Sequence, residues 1–219
     1  SKIRSFNGCL GVFSAILLSV FMTVNASESL SLNKNTIVVL GDSLSAGYGV
    51  KIEQSWPSLL ENSLKKNNLS FSVINAGISG DTTSGGLFRL PLLLKKHNPK
   101  IVILELGGND GLRGMSINRV IKKNLEQMIN MIRASGSIVV MVGVELPPNY
   151  GDRYTTSFKN MYVDLADQYN ISLVKGSLVE MVSSNLMQAD GIHPNKAGHV
   201  LIEQEVLKDI MPILLNLTD

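Results

Sequence analysis

Cysteine is almost absent from this 219-residue chain: its one copy, Cys9, lies in an apolar stretch near the beginning. A product that loses that stretch has no thiol, which excludes a disulfide framework, a thiolate nucleophile and a cysteine-built zinc site. Histidine is scarce too, with three copies and no His-x-x-x-His pair, so no metal is expected. The G-x-G-x-x-G and G-x-x-x-x-G-K-[ST] fingerprints are missing, which leaves little support for a dinucleotide or nucleotide site. G-x-S-x-G is also missing, so the strained elbow of the common α/β-hydrolases is not used. No apolar run reaches the roughly 20 residues that a membrane span needs.

The longest such run, positions 9–24, is 16 residues long and is interrupted by Gly11, Ser14 and Ser19. It follows Lys2 and Arg4 and ends at Val24-Asn25-Ala26, the pattern of a signal peptide over residues 1–26 cleaved after Ala26. Retention as an uncleaved anchor is the alternative. Residues 27–35 then form a linker, and the protein is expected in the periplasm or outside the cell. Removing residues 1–26 takes Lys2 and Arg4 from the 20 basic residues and none of the 18 acidic ones, leaving 18 of each. A balanced chain of this kind argues against nucleic acid as a partner.

The remaining chain, positions 36–219, shows no internal repeat and fits one domain. Positions 37–40, Ile-Val-Val-Leu, read as a buried strand, and Gly41-Asp42 ends it just before Ser43. Positions 56–68 carry Trp56, Leu59, Leu60 and Leu64 at helical spacing, with Pro57 in the first turn. A second strand, 71–76, ends in a glycine turn, after which Thr82 or Thr83 can cap a helix towards Lys96 that Pro91 should kink or split. Strand 101–106 empties into Gly107-Gly108-Asn109-Asp110-Gly111, and Ser116 caps an amphipathic helix bearing Val120, Ile121, Leu125, Met128, Ile129 and Ile132, which Gly136 stops. Strand 138–144, the loop 145–151, helix 153–169 and strand 171–174 complete the alternation. Five such alternations imply right-handed crossovers and a parallel sheet covered on both faces. The expected fold is a three-layer α/β/α domain with five strands in the flavodoxin-like order 2-1-3-4-5.

In that order the turns holding Ser43, Gly80 and Asn109 are neighbours at the carboxyl edge of the sheet, where ligands bind. Acyl transfer by a serine needs a base, a group that orients the base, and donors for the oxyanion. His97 ends a helix and His199 lies inside one, so His193, fixed in the loop Asp190-Gly191-Ile192-His193-Pro194-Asn195, is the candidate base. Asp190, three residues earlier, can accept from its Nδ1–H. The N–H groups of Ser43 and Gly80 with the carboxamide of Asn109 would form the oxyanion hole.

Together, Gly41-Asp42-Ser43-Leu44-Ser45, Gly80, Gly107-Gly108-Asn109-Asp110 and Asp190-Gly191-Ile192-His193-Pro194-Asn195 resemble the four ordered blocks of the SGNH (GDSL-type) hydrolases. The likeness is stronger to the bacterial periplasmic branch of thioesterase, arylesterase and lysophospholipase, through positions 75–82, 105–114 and 146–151. The resemblance implies Ser43, Asp190 and His193 as the catalytic relay, and Ser43, Gly80 and Asn109 as oxyanion donors. It also implies Gly108, Leu112, Leu146 and Pro147 as substrate-binding positions, a mobile lip over 111–116, and no cofactor. One departure is Gly77, where a small polar residue is expected, so that the turn should be looser. The activity implied is hydrolysis of acyl esters and thioesters, including lysophospholipids, by a monomer. The rivals are a carbohydrate acetyl esterase on the same fold and a binding protein without turnover.

Overall fold

The computed structural model describes residues 35–176 and 178–218, so the leader and most of the linker lie outside the described residues. Strand β1 (Asn35–Gly41) leads into the short helix α1 (Ser43–Ala46), then α2 (Trp56–Lys66), β2 (Phe71–Asn75) and α3 (Thr83–His97). Next come β3 (Ile101–Glu105), α4 (Gly108–Leu112), α5 (Lys122–Ala134), β4 (Ile138–Val142) and α6 (Asp152–Tyr169). The chain continues with β5 (Ser172–Val174), α7 (Leu178–Ser183) and α8 (Lys196–Thr218). The sheet is parallel throughout, in the expected order β2-β1-β3-β4-β5.

Near-continuous β-branched and aliphatic runs suit strands buried on both faces. Alternation along each strand divides these side chains between two layers. Val38, Leu40, Val102, Leu104, Val139 and Met141 pack with Leu90 of α3, Leu125 and Met128 of α5, and Phe158 and Leu165 of α6. Ile37, Val39, Ile101, Ile103, Val140 and Val142 pack with Trp56, Leu60 and Leu64 of α2, and Val206, Ile210 and Leu214 of α8. In register, Gly41 stands beside Glu105 and Val39 beside Asn75, so β1 and β3 end level, β2 stops two residues short of them, and all three release their loops at one edge.

Several helix signals behave as their chemistry dictates. Thr82 caps α3 by accepting from the Gly85 N–H at 3.3 Å, which frees Thr83 for another contact. Asn195 caps α8 by accepting from the N–H groups of Ala197 and Gly198 at 2.9 and 3.1 Å. Other expectations need correcting. Pro91 does not split α3, which runs as one element from Thr83 to His97 with the proline ring on its exposed side. The glycine turn after β3 winds into α4, and Ser116 caps a π-helical turn, Ile117–Ile121, that feeds α5.

Candidate active site

Ser43 opens α1 and owes its position to Asp42, whose Oδ1 accepts from the Leu44 N–H at 3.0 Å. Gly47 closes the same helix in the left-handed region, at φ 75°, with its N–H on the Ser43 carbonyl. At the far end of the chain, one carboxylate organises the histidine loop. Asp190 Oδ1 accepts from the N–H groups of Ile192 and His193, both at 3.0 Å, and Oδ2 lies 2.7 Å from His193 Nδ1. His193 Nε2 lies 3.0 Å from Ser43 Oγ. Three residues drawn from opposite ends of the described chain thus meet in one hydrogen-bonded line.

Two residues that sequence reasoning missed join these loops. Gln188 Nε2 donates to the Tyr48 carbonyl at 2.7 Å and the Pro194 carbonyl at 2.9 Å, tying the serine loop to the histidine loop. The Tyr48 ring sits 4.5 Å from the His193 imidazole, centroid to centroid. Neither belongs to a motif, and both bonds run to backbone carbonyls, so spacing alone carries no signal for them.

The oxyanion candidates are held in a similar way. Asn109 Nδ2 donates to Asp42 Oδ2 at 3.0 Å, which leaves its second N–H for a ligand. Gly80 has φ 80°, in the region that favours glycine, and a Cβ there would meet nothing within 4 Å. Backbone conformation rather than crowding therefore selects glycine at this position. Arg89 anchors the loop that carries it, with Nε on Asp81 at 2.8 Å, Nη2 on the Gly41 carbonyl at 3.0 Å and Nη1 on the Ala76 carbonyl. Asp110, wholly buried, accepts from the Thr83 N–H at 2.9 Å and hydroxyl at 2.7 Å, so α4 and the start of α3 are joined directly.

Gly77 does not loosen its turn. A Cβ placed there would lie 2.5 Å from the Ala46 nitrogen and 2.8 Å from the Ser45 carbonyl carbon. The bare Cα lets the β2 turn press against the backbone of the serine helix. Asn75 completes the seam, donating to the Ser45 carbonyl at 2.7 Å and accepting from the Gly77 N–H at 2.9 Å.

Beneath Ser43 lies a buried carboxyl pair that no motif reading included. Glu105 Oε2 accepts from the Ser45 hydroxyl at 2.7 Å and from the Asp42 N–H at 3.4 Å, while its Oε1 has no partner. Complete burial, with Asp42 close by, pushes the Glu105 carboxyl well above the ordinary range. Burial also raises Asp42, to about 6, although the Leu44 N–H and the Asn109 amide favour its charged form. Asp190 behaves oppositely. Its slight burial is outweighed by hydrogen bonds from the His193 N–H, the imidazole and the Ile192 N–H, which bring it to about 2.

A cavity of about 170 Å³ opens at Ser43, Asn109 and His193. Gly108, Leu112, Leu146 and Pro147 all line it, and Trp56, Val142, Val174, Met181 and Ile202 form an apolar wall. The described residues include no group of three side chains able to hold a metal ion.

Residues 39–201 match the GDSL-like lipase/acylhydrolase family. Among curated proteins, an arylesterase of Vibrio mimicus is 43% identical over 195 residues, covering 89% of this chain and 96% of that protein. The thioesterase 1/protease 1/lysophospholipase L1 of Escherichia coli K12 is 36% identical over 211 residues, covering 96% of this chain and 97% of that protein. Among solved structures, the psychrotrophic esterase EstA from Pseudoalteromonas sp., inhibited by monoethylphosphonate, superposes with a TM-score of 0.77 at 36% identity, covering 82% of this chain and 98% of that one. With a family match across most of its length and relatives this similar, the chain belongs to the GDSL-like lipase/acylhydrolase family and is an ester hydrolase.

Proposed function

We propose that this ester hydrolase cleaves acyl esters and thioesters, lysophospholipids among them, through an acyl-enzyme on Ser43. Support comes first from one observation: the Ser43 hydroxyl lies 3.0 Å from an imidazole whose other nitrogen is 2.7 Å from a carboxylate. Ser43 Oγ attacks the acyl carbon as its proton passes to His193 Nε2. The carbonyl π electrons move to oxygen, where the N–H groups of Ser43 and Gly80 and the free N–H of Asn109 receive the charge. Collapse of the adduct breaks the C–O or C–S bond, and His193 returns the proton to the leaving oxygen or sulfur. Water then repeats the sequence on the acyl-serine and releases the acid. Asp190, ionised far below neutral pH, holds the Nδ1–H tautomer and stabilises the imidazolium.

The apolar wall of Val142, Val174, Met181 and Ile202 suits an alkyl chain rather than an acetyl group alone. The name of the Escherichia coli relative, with its thioesterase and lysophospholipase activities, points the same way. A leader at residues 1–26 would export the enzyme to the periplasm or beyond. The test is a panel of nitrophenyl esters and acyl thioesters of rising chain length, with labelling by a fluorophosphonate. Ser43→Ala should fold normally, lose both labelling and nearly all turnover, and so identify the nucleophile. Normal turnover by that variant would end the proposal, and turnover on acetyl esters alone would favour a carbohydrate esterase.

A further inference from the structure

Helix α3 carries the most exposed large apolar side chain among the described residues, Phe88 at 88%, and one turn later Leu92 at 68%. Ser84, Phe88, Pro91, Leu92, Lys95 and Lys96 are its exposed positions, and their spacing places them along one face. The helix contains no acidic residue. From Thr82 to Leu125 the only acids are Glu105 and Asp110, both buried, against eight basic residues: Arg89, Lys95, Lys96, Lys100, Arg113, Arg119, Lys122 and Lys123. Arg89 is neutralised by Asp81. Among the described residues, Lys95, Lys96, Arg113, Arg119 and Lys123 form no ion pair, and all five are exposed. Since the chain after residue 26 has no net charge, this one-signed stretch is a local concentration rather than a general excess.

We propose that the outer face of α3, with Phe88, Pro91 and Leu92 as an apolar ridge among these cations, docks the enzyme onto an anionic phospholipid surface. A projecting ridge flanked by lysines matches the boundary between charged headgroups and acyl chains, and the absence of acids matches a negative lipid surface. Between Thr82 and Leu125 a partner protein would find no exposed acid among the described residues. Of these cations, Arg113 stands next to the mouth of the cavity. Arg113 follows Leu112, which lines that cavity, and its guanidinium donates to the Gly80 carbonyl at 3.3 Å. Docking would therefore hold the opening beside the lipid from which an acyl ester is drawn, although docking itself does not depend on the acyl-enzyme scheme.

The test uses the full chain with Ser43→Ala, so that binding is read without hydrolysis. Sedimentation with sucrose-loaded vesicles compares pure phosphatidylcholine with phosphatidylcholine containing one-third phosphatidylglycerol, at low and high salt. Phe88→Ser with Leu92→Ser should weaken binding to the mixed vesicles about tenfold or more. Lys95→Glu with Lys96→Glu, or added salt, should remove the preference for the anionic lipid. In the active chain, Phe88→Ser with Leu92→Ser should leave hydrolysis of a water-soluble nitrophenyl ester unchanged, showing that the fold survives. Unchanged vesicle binding by that double variant would overturn the proposal. So would its conversion of a dimer to a monomer in sedimentation equilibrium with vesicle binding retained, which would give the face to a second copy. A fluorophore at Phe88→Cys, in a Cys9→Ser background, that is shielded without vesicles and released when residues 1–33 are removed would give the face to that segment.

Discussion

Asp42 offers the most direct check on the carboxyl pair under the nucleophile. An unfolded chain would hold this carboxyl at 3.8, whereas burial in the folded chain holds it at about 6, a difference of roughly 3 kcal/mol. A carboxyl whose folded value is raised binds its proton more readily in the folded state. At neutral pH the ionised Asp42 therefore costs the fold about 3 kcal/mol, and that cost fades as pH falls through about 6 towards 3.8. Asp42→Asn has no proton to gain over this window. The stability of the native chain minus that of the variant should then fall by roughly 2 kcal/mol or slightly more as pH rises from about 4 to about 7. Urea unfolding at a series of pH values, followed by emission of Trp56, the one tryptophan and fully buried, supplies the measurement. Lost contacts to Leu44 and Asn109 would shift the whole difference curve without tilting it. A flat difference curve would refute the raised value of Asp42.

Asn109→Ala should lower kcat by roughly 10² to 10³ while leaving the unfolding midpoint near that of the native protein; a loss below tenfold would remove Asn109 from the oxyanion hole. Gly77→Ala brings a methyl group to 2.5 Å from the Ala46 nitrogen. It should cost about 1–3 kcal/mol of stability and reduce kcat by shifting α1, and a variant with native stability and rate would show that the seam yields freely. His199→Leu strips the Trp56 N–H of its acceptor, a bond of 3.3 Å between α8 and α2. A loss of about 1–3 kcal/mol in urea unfolding is expected, and His199→Gln should recover part of it.

Much of this was legible in the sequence because the signals were local. Buried strands announce themselves as aliphatic runs, and each ends in a glycine turn, so strand order placed Ser43, Gly80 and Asn109 on one edge. Asp190 and His193 share a single loop, and a contact across three residues needs no long-range folding to anticipate. What was not legible depends on contacts between distant backbones. Gly77 looks like a loose turn until the serine helix is placed against it. Glu105 looks like the polar end of a hydrophobic strand until its register with Gly41 puts it beneath Ser45. Pro91 carries a helix-breaking signal that is overridden because α3 packs on the sheet through Leu90 while the proline ring faces outward. Trp56 read as one more core residue, yet it also walls the cavity.

Trp56 N–H bonds to His199 across 143 positions, and Ser43 to His193 across 150. Burial holds His199 at about 4, with His193 adding to the effect, so near neutral pH the ring stays uncharged and free to accept that bond. The first large helix after the nucleophile is thus tied to the last helix of the domain as well as to the sheet. During synthesis the serine emerges early, whereas its proton acceptor comes 150 positions later and the wall residue Ile202 later still, on α8. A polypeptide ended before position 193 therefore carries the serine without the imidazole that takes its proton.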